Sequence, residues 1–95
     1  MLKLNAHESD EADRQNLLGF SARRLGKLTT AQDHYETALK IDPSHLGALE
    51  YQGKLFLMLG DLENAELNLV KLKTKCFLIC PKEYSQLLKA IEEQK

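Results

Sequence analysis

Cys76 and Cys80 carry the most reactive side chains of the chain, and their four-residue spacing leaves three fates open. A disulfide is the first. A regular helix places an i, i+4 pair badly for the bridge dihedral, but Pro81 makes this segment an irregular corner in which a bridge can close. Two free thiols are the second. The third is half of a metal site, which is disfavoured because tetrahedral zinc needs four ligands and His7, His34 and His45 show no finger-like spacing. A bridge implies an oxidising compartment, periplasmic or secreted, and free thiols a cytoplasmic one. As a nucleophile, either cysteine would need a partnered base and an oxyanion site, and the sequence supplies neither. His34 falls mid-helix beside Tyr35, His45 in a turn and His7 in a loop, and each reads as a solvated residue. No catalytic residue, metal or cofactor is therefore expected.

Composition narrows the partners. The 95 residues allow one domain, and 43% apolar with 28% charged residues is an ordinary globular mixture. The net charge is −1 with both signs interspersed, so no basic footprint points to nucleic acid. No apolar run approaches the roughly 20 residues of a membrane span. The start Met1-Leu2-Lys3-Leu4-Asn5 lacks the apolar core of a signal peptide. Neither nucleic acid nor membrane is an expected partner.

The elements that must position these side chains follow from periodicity. Leu18, Gly19, Ala22 and Leu25 keep helical spacing, as do Leu28, Ala31, Tyr35, Ala38, Leu39 and Ile41. Between the two sets Gly26 can end a helix in the left-handed conformation, and Thr29 or Thr30 can cap the next. Pro43 ends the second helix. A shift of 34 residues superimposes Gly19 on Gly53, Leu25 on Leu59, Gly26 on Gly60, Leu28 on Leu62 and Ala31 on Ala65. That period, with Leu18-Gly19, Ala22, Ala31, Tyr35 and Pro43 in their places, resembles the tetratricopeptide repeat. Gln15 stands where Trp is usual and Ala22 where Tyr is usual. In the second copy Gly53, Phe56, Gly60 and Ala65 hold, while Gln52 replaces Leu, Leu69 the aromatic and Phe77 the closing Pro.

The expected architecture is all-α: an antiparallel helix-hairpin solenoid of two repeats, 12–45 and 46–79, closed by a capping helix in 80–95. Helices are predicted over 12–25, 29–41, 46–59, 62–75 and 82–93. Residues 1–11 read as a loop after the severed tail of a preceding repeat, because Leu2-Lys3-Leu4-Asn5 echoes Leu39-Lys40-Ile41-Asp42. Ser9 or Asp10, Ser44 and Asp61 are the predicted N-caps. Lys71, Lys73 and Lys75 suit the carboxyl end of the fourth helix. Gly19 and Gly53 sit mid-helix, where each costs about 1 kcal/mol relative to Ala, so both are assigned to crossings within a helix pair, with Ala31 and Ala65. The apolar run 76–81 needs a cover, and the face of Tyr84, Leu87, Leu88 and Ile91 is expected to shield the last repeat.

The resemblance implies a protein or peptide interaction module whose first helices line a concave groove. Its family positions fall on Asp13, Asn16, Phe20, Arg23 and Arg24, and on Gly47, Glu50, Lys54, Leu57 and Met58. Phe20, Leu57 and Met58 among charges suggest a surface meant to be covered. Asn16 and Lys54 stand on the wrong repeats for the family's carboxylate clamp. The alternative is a self-assembly module, a weak homodimer formed through the face of the first repeat that lacks a preceding neighbour, unless Leu2 and Leu4 fold back over it.

Overall fold

Two glycines set the course of the chain. Gly26 and Gly60 adopt φ of +79° and +75°, the left-handed region that side chains avoid, and each turns the chain straight after a helix. The computed structural model describes residues 4–94, and within them five helices follow one another without a strand: α1 (Ala6–Arg24), α2 (Leu28–Ile41), α3 (Leu46–Met58), α4 (Leu62–Lys73) and α5 (Lys82–Gln94). The all-helical hairpin architecture expected from the 34-residue period is thus present. Leu25 and Leu59, one period apart, are the C-caps of α1 and α3, and Lys27 and Asp61 the N-caps of α2 and α4.

The helices pack as neighbours in order. α1 lies on α2, α2 on α3 and α3 on α4, while α5 contacts both α3 and α4 and α1 also touches α3. Extents of 39 × 36 × 17 Å describe a plate about two helices thick. Its core has two parts. Ala22, Ala31, Tyr35 and Leu55 join the first hairpin to α3, and Leu49, Ala65, Leu72, Leu87 and Ile91 join the second hairpin to α5.

Several boundaries and contacts differ from expectation. α1 begins at Ala6 rather than 12, because Asn5 and Glu8 form a reciprocal capping box: Asn5 Oδ1 accepts from Glu8 N–H at 2.8 Å, and Glu8 Oε1 from Asn5 N–H at 3.2 Å. Ser9 and Asp10 are therefore helical, not caps. The echo through Leu2 and Lys3 lies outside the described residues. Thr29 and Thr30 also lie inside a helix, and α2 starts behind Lys27 with no side-chain cap. His45, not Ser44, caps α3, its Nδ1 accepting the Ala48 N–H at 3.0 Å. Asp61 caps α4 as expected, accepting from Asn64 N–H at 3.1 Å. Lys75 stands two residues beyond the end of α4.

The glycine notches also part company. A Cβ on Gly19 would lie 2.6 Å from the ring of Tyr35, inside its own helix pair. A Cβ on Gly53 would lie 2.6 Å from Leu87 of α5, so this crossing belongs to the next helix and not to the pair. The three atoms nearest that position all belong to Leu87 and none to Leu69.

Finally, the apolar run after α4 is uncovered. Phe77, Leu78 and Ile79 are 91%, 87% and 85% exposed, on a loop closed by a disulfide between Cys76 and Cys80, whose Cα atoms are 4.1 Å apart.

Candidate functional site

α1 and α3 share the face on which the resemblance places ligand contacts. Phe20 of α1 lies against Tyr51 of α3 with ring centroids 5.0 Å apart. The Arg23 guanidinium is 5.5 Å from the Phe20 ring and 5.9 Å from that of Tyr51, and Arg24 is 5.6 Å from Phe20 on its own side. These distances suit cation–π attraction, which holds two long cationic side chains against one aromatic pair. Arg23 Nη1 also reaches the sulfur of Met58 at 3.9 Å. Neither arginine forms an ion pair with a carboxylate among the described residues. The face thus holds two positive charges for which the described residues show no ion-pair partner.

Next to this cluster three buried polar atoms have no hydrogen-bond partner: Arg23 Nε, Asn16 Oδ1 and the Tyr35 hydroxyl. Burial pushes the Tyr35 phenol above its ordinary range, and Arg23 beside it pulls the other way without closing a hydrogen bond. Buried groups of this kind ordinarily find partners, and the Tyr35 hydroxyl and Arg23 lie near enough to act on each other. Asn16 reaches its place because Gly47 has no side chain: a Cβ there would sit 2.8 Å from Asn16 Nδ2.

At one end of the face His45 joins the two helices. Its Nδ1 is occupied as an acceptor by the α3 cap, so Nε2 carries the proton and donates to Asp13 Oδ1 at 2.7 Å. His34 is also engaged rather than solvated, its Nδ1 donating to Gln15 Oε1 at 2.7 Å. Gln15 in turn donates to Glu11, which Arg14 grips from 2.7 Å, and these bonds lower the Glu11 carboxyl to about 2. The Trp position of the repeat is thereby filled by a polar relay between α1 and α2.

The remaining predicted groove residues turn toward α5. Glu50 is 3% exposed, and Lys54 meets it at 2.7 Å. With its amide nitrogen facing that carboxylate, Gln86 of α5 donates to both oxygens at 2.7 and 3.0 Å. Leu57 packs against the core shared with α5. Of the predicted groove residues, Phe20, Arg23, Arg24 and Met58 are linked through Phe20 and Arg23, and Asn16 stands one helical turn before Phe20, beside Gly47. Sequence reasoning missed Tyr51, which the period itself would have aligned with Leu17. It also missed a buried relay through all but the first and last helices: Asn68 Nδ2 donates to Leu49 O and Gln52 Oε1 at 3.1 and 2.9 Å, and Gln52 Nε2 to Gln32 Oε1 at 3.2 Å. That relay explains why Gln52 can stand where Leu is usual.

Paired helices, glycine corners one period apart and a neighbour-on-neighbour core define a helix-hairpin repeat protein. The family model of the tetratricopeptide repeat matches residues 12–45, so the stretch that holds most of α1 and all of α2 is a tetratricopeptide repeat. No curated protein matches the chain, and no solved structure does. Repeats of this family serve in general as scaffolds for protein–protein interaction. No helix among the described residues is long and apolar enough to cross a membrane.

Proposed function

We propose that residues 46–79 are a second, diverged repeat, that α5 stands where the first helix of a third repeat would stand, and that the α1–α3 face is a groove for an extended protein segment. The observation that carries the reading is the pair of guanidinium groups laid over the Phe20–Tyr51 rings with no ion-pair partner among the described residues. Such a surface suits a ligand segment that offers a carboxylate beside an apolar side chain: the carboxylate meets Arg23 and Arg24, and the apolar group covers Phe20 and Met58. Glu50, Lys54 and Leu57 then serve the α3–α5 contact that holds the groove floor in shape.

Peptides selected against the full chain from a random display library test this. Selected sequences should be rich in Asp or Glu next to an apolar residue, and their binding should shift the amide resonances of Asn16, Phe20, Tyr51 and Met58. Arg23→Ala should weaken binding about tenfold or more, the loss of a charge-assisted contact. Selection of basic peptides, or shifts confined to α4 and α5, would contradict it.

One observation favours a second occupant on another face. Leu17 and Leu18 are 62% and 37% exposed, and they stand one period before Tyr51 and Gln52, which meet the first repeat. A second copy, as a weak homodimer, would cover them. Sedimentation over a wide concentration range reads this directly, and Leu17→Lys should abolish any association seen.

A further inference from the structure

The loop between α4 and α5 is built unlike the rest of the chain. Residues 77–79 form an apolar tip whose three side chains are almost wholly exposed, and the Cys76–Cys80 disulfide closes the loop beneath them. Leu67 and Val70, three residues apart on one face of α4, are also exposed and lead toward it. The charge around the tip is of one sign. From residue 67 to residue 82 the chain carries Lys71, Lys73, Lys75 and Lys82 and no acid, and all four lysines are exposed. The other nine basic residues are set against fourteen acids, so the local excess is a feature of this loop and not of the protein. Half-buried Glu83 is the nearest acid that follows, and Lys75 Nζ donates to Ser44 Oγ at 3.0 Å.

We propose that this loop docks on a lipid bilayer with anionic headgroups, residues 77–79 entering the interface while the lysines meet the lipid phosphates and carboxylates. An exposed Phe-Leu-Ile tip alone would suit any apolar partner; the ring of lysines selects a negatively charged surface with an apolar interior. A chain with no membrane-spanning helix among its described residues can sit on a bilayer in this way. Closure by the disulfide keeps the tip from spreading, so insertion orders few additional residues. The site is separate from the α1–α3 face, and neither reading depends on the other.

Flotation of the full, oxidised chain with vesicles tests the proposal, using phosphatidylcholine alone and equal parts phosphatidylcholine and phosphatidylserine. The protein should float with the mixed vesicles, far less with the neutral ones, and should be released by high salt. Each of Lys73→Gln, Lys75→Gln and Lys82→Gln should weaken binding about fivefold, the factor that corresponds to one lysine at an anionic surface. The triple variant Phe77→Ser, Leu78→Ser, Ile79→Ser should lose flotation and keep the wild-type melting curve, because the replaced side chains make no core. Arg23→Ala should float normally. The proposal is overturned if the wild type floats with neither vesicle, if the triple serine variant floats as well as wild type, or if neutral vesicles bind equally. It is overturned also if vesicles fail while wild type sediments as a dimer and the triple variant as a monomer, for the tip would then be a self-association surface.

Discussion

The two hairpins place a glycine at the same register and close the notch differently. At Gly19 the filling comes from within: Tyr35, on the partner helix of the same pair, lies where a Cβ would be. At Gly53 the partner helix offers Leu69, and the notch is taken by Leu87 from α5. The first hairpin therefore carries its own plug, and the second is finished by the helix that follows it. Their polar fittings do not divide in this way. Gln15 and His34 bond inside the first pair and Asn68 and Gln52 inside the second, where Glu50 is also met by Gln86 from α5. A hairpin with leucine in the place of that tyrosine keeps its packing when the next element supplies one large side chain at the right height.

The comparison is broken most severely by removing α5. A chain ending at Cys80 should expose Leu49 and Leu72, lose a cooperative melt and aggregate, while the first hairpin keeps helical circular dichroism. A truncated chain that stays monomeric with an unchanged melt would show that the second hairpin closes by itself. Next in size, Leu87→Ala should destabilise by about 2–5 kcal/mol, the range for a fully buried leucine, read from urea midpoints at unchanged slope. Smaller still, Gly19→Ala should cost about 1–3 kcal/mol by crowding a rigid ring in a filled core. Gly53→Ala should cost less, because leucine methyls can turn aside where a tyrosine ring cannot. Equal losses at both glycines would remove the distinction between the two plugs.

The smallest effect concerns the caps of the two second helices. Asp61 accepts from the side chain and backbone N–H of Asn64, and those bonds hold its carboxyl below the ordinary aspartate range. The stabilisation is thus present above the unfolded-state pKa and disappears as pH falls through the lower folded one. Wild type should lose melting temperature across that acidic window, and Asp61→Ala should start a few degrees lower and lose less of it. Lys27→Asp gives α2 the cap it lacks and should raise the melting temperature by a few degrees at neutral pH. No change from Lys27→Asp would mean that the start of α2 is fixed by packing alone.

Much of this was legible in the residues. Gly26 and Gly60 announced both corners because only a residue without Cβ adopts their φ freely, and Asp61 announced a cap because its side chain reaches a neighbour in sequence. The same logic was available at Asn5, where Asn5-Ala6-His7-Glu8 has the spacing of a capping box, but polar residues 7–11 show no apolar stripe and read as a loop. Gln52, Asn68 and His34 could not be read this way, since their partners lie 16 to 20 residues away and no pattern connects two polar side chains across helices. Leu87 was assigned correctly to a buried face, yet its meeting with Gly53 depends on how α5 crosses α3. The tip at 77–79 was misread because apolar residues were assumed to need cover.

The central claim, that Leu87 is the plug of the second hairpin, is tested most directly by a double-mutant cycle on Gly53 and Leu87. In wild type Gly53→Ala sets a gain in helix propensity of about 1 kcal/mol against crowding of Leu87. In the Leu87→Ala background the crowding is gone and only the gain remains. The effect of Gly53→Ala should therefore differ between backgrounds by about 1–3 kcal/mol, destabilising or neutral in the first and stabilising in the second. The same change in stability in both, within about 0.5 kcal/mol, would mean that the two residues do not meet and would contradict the account.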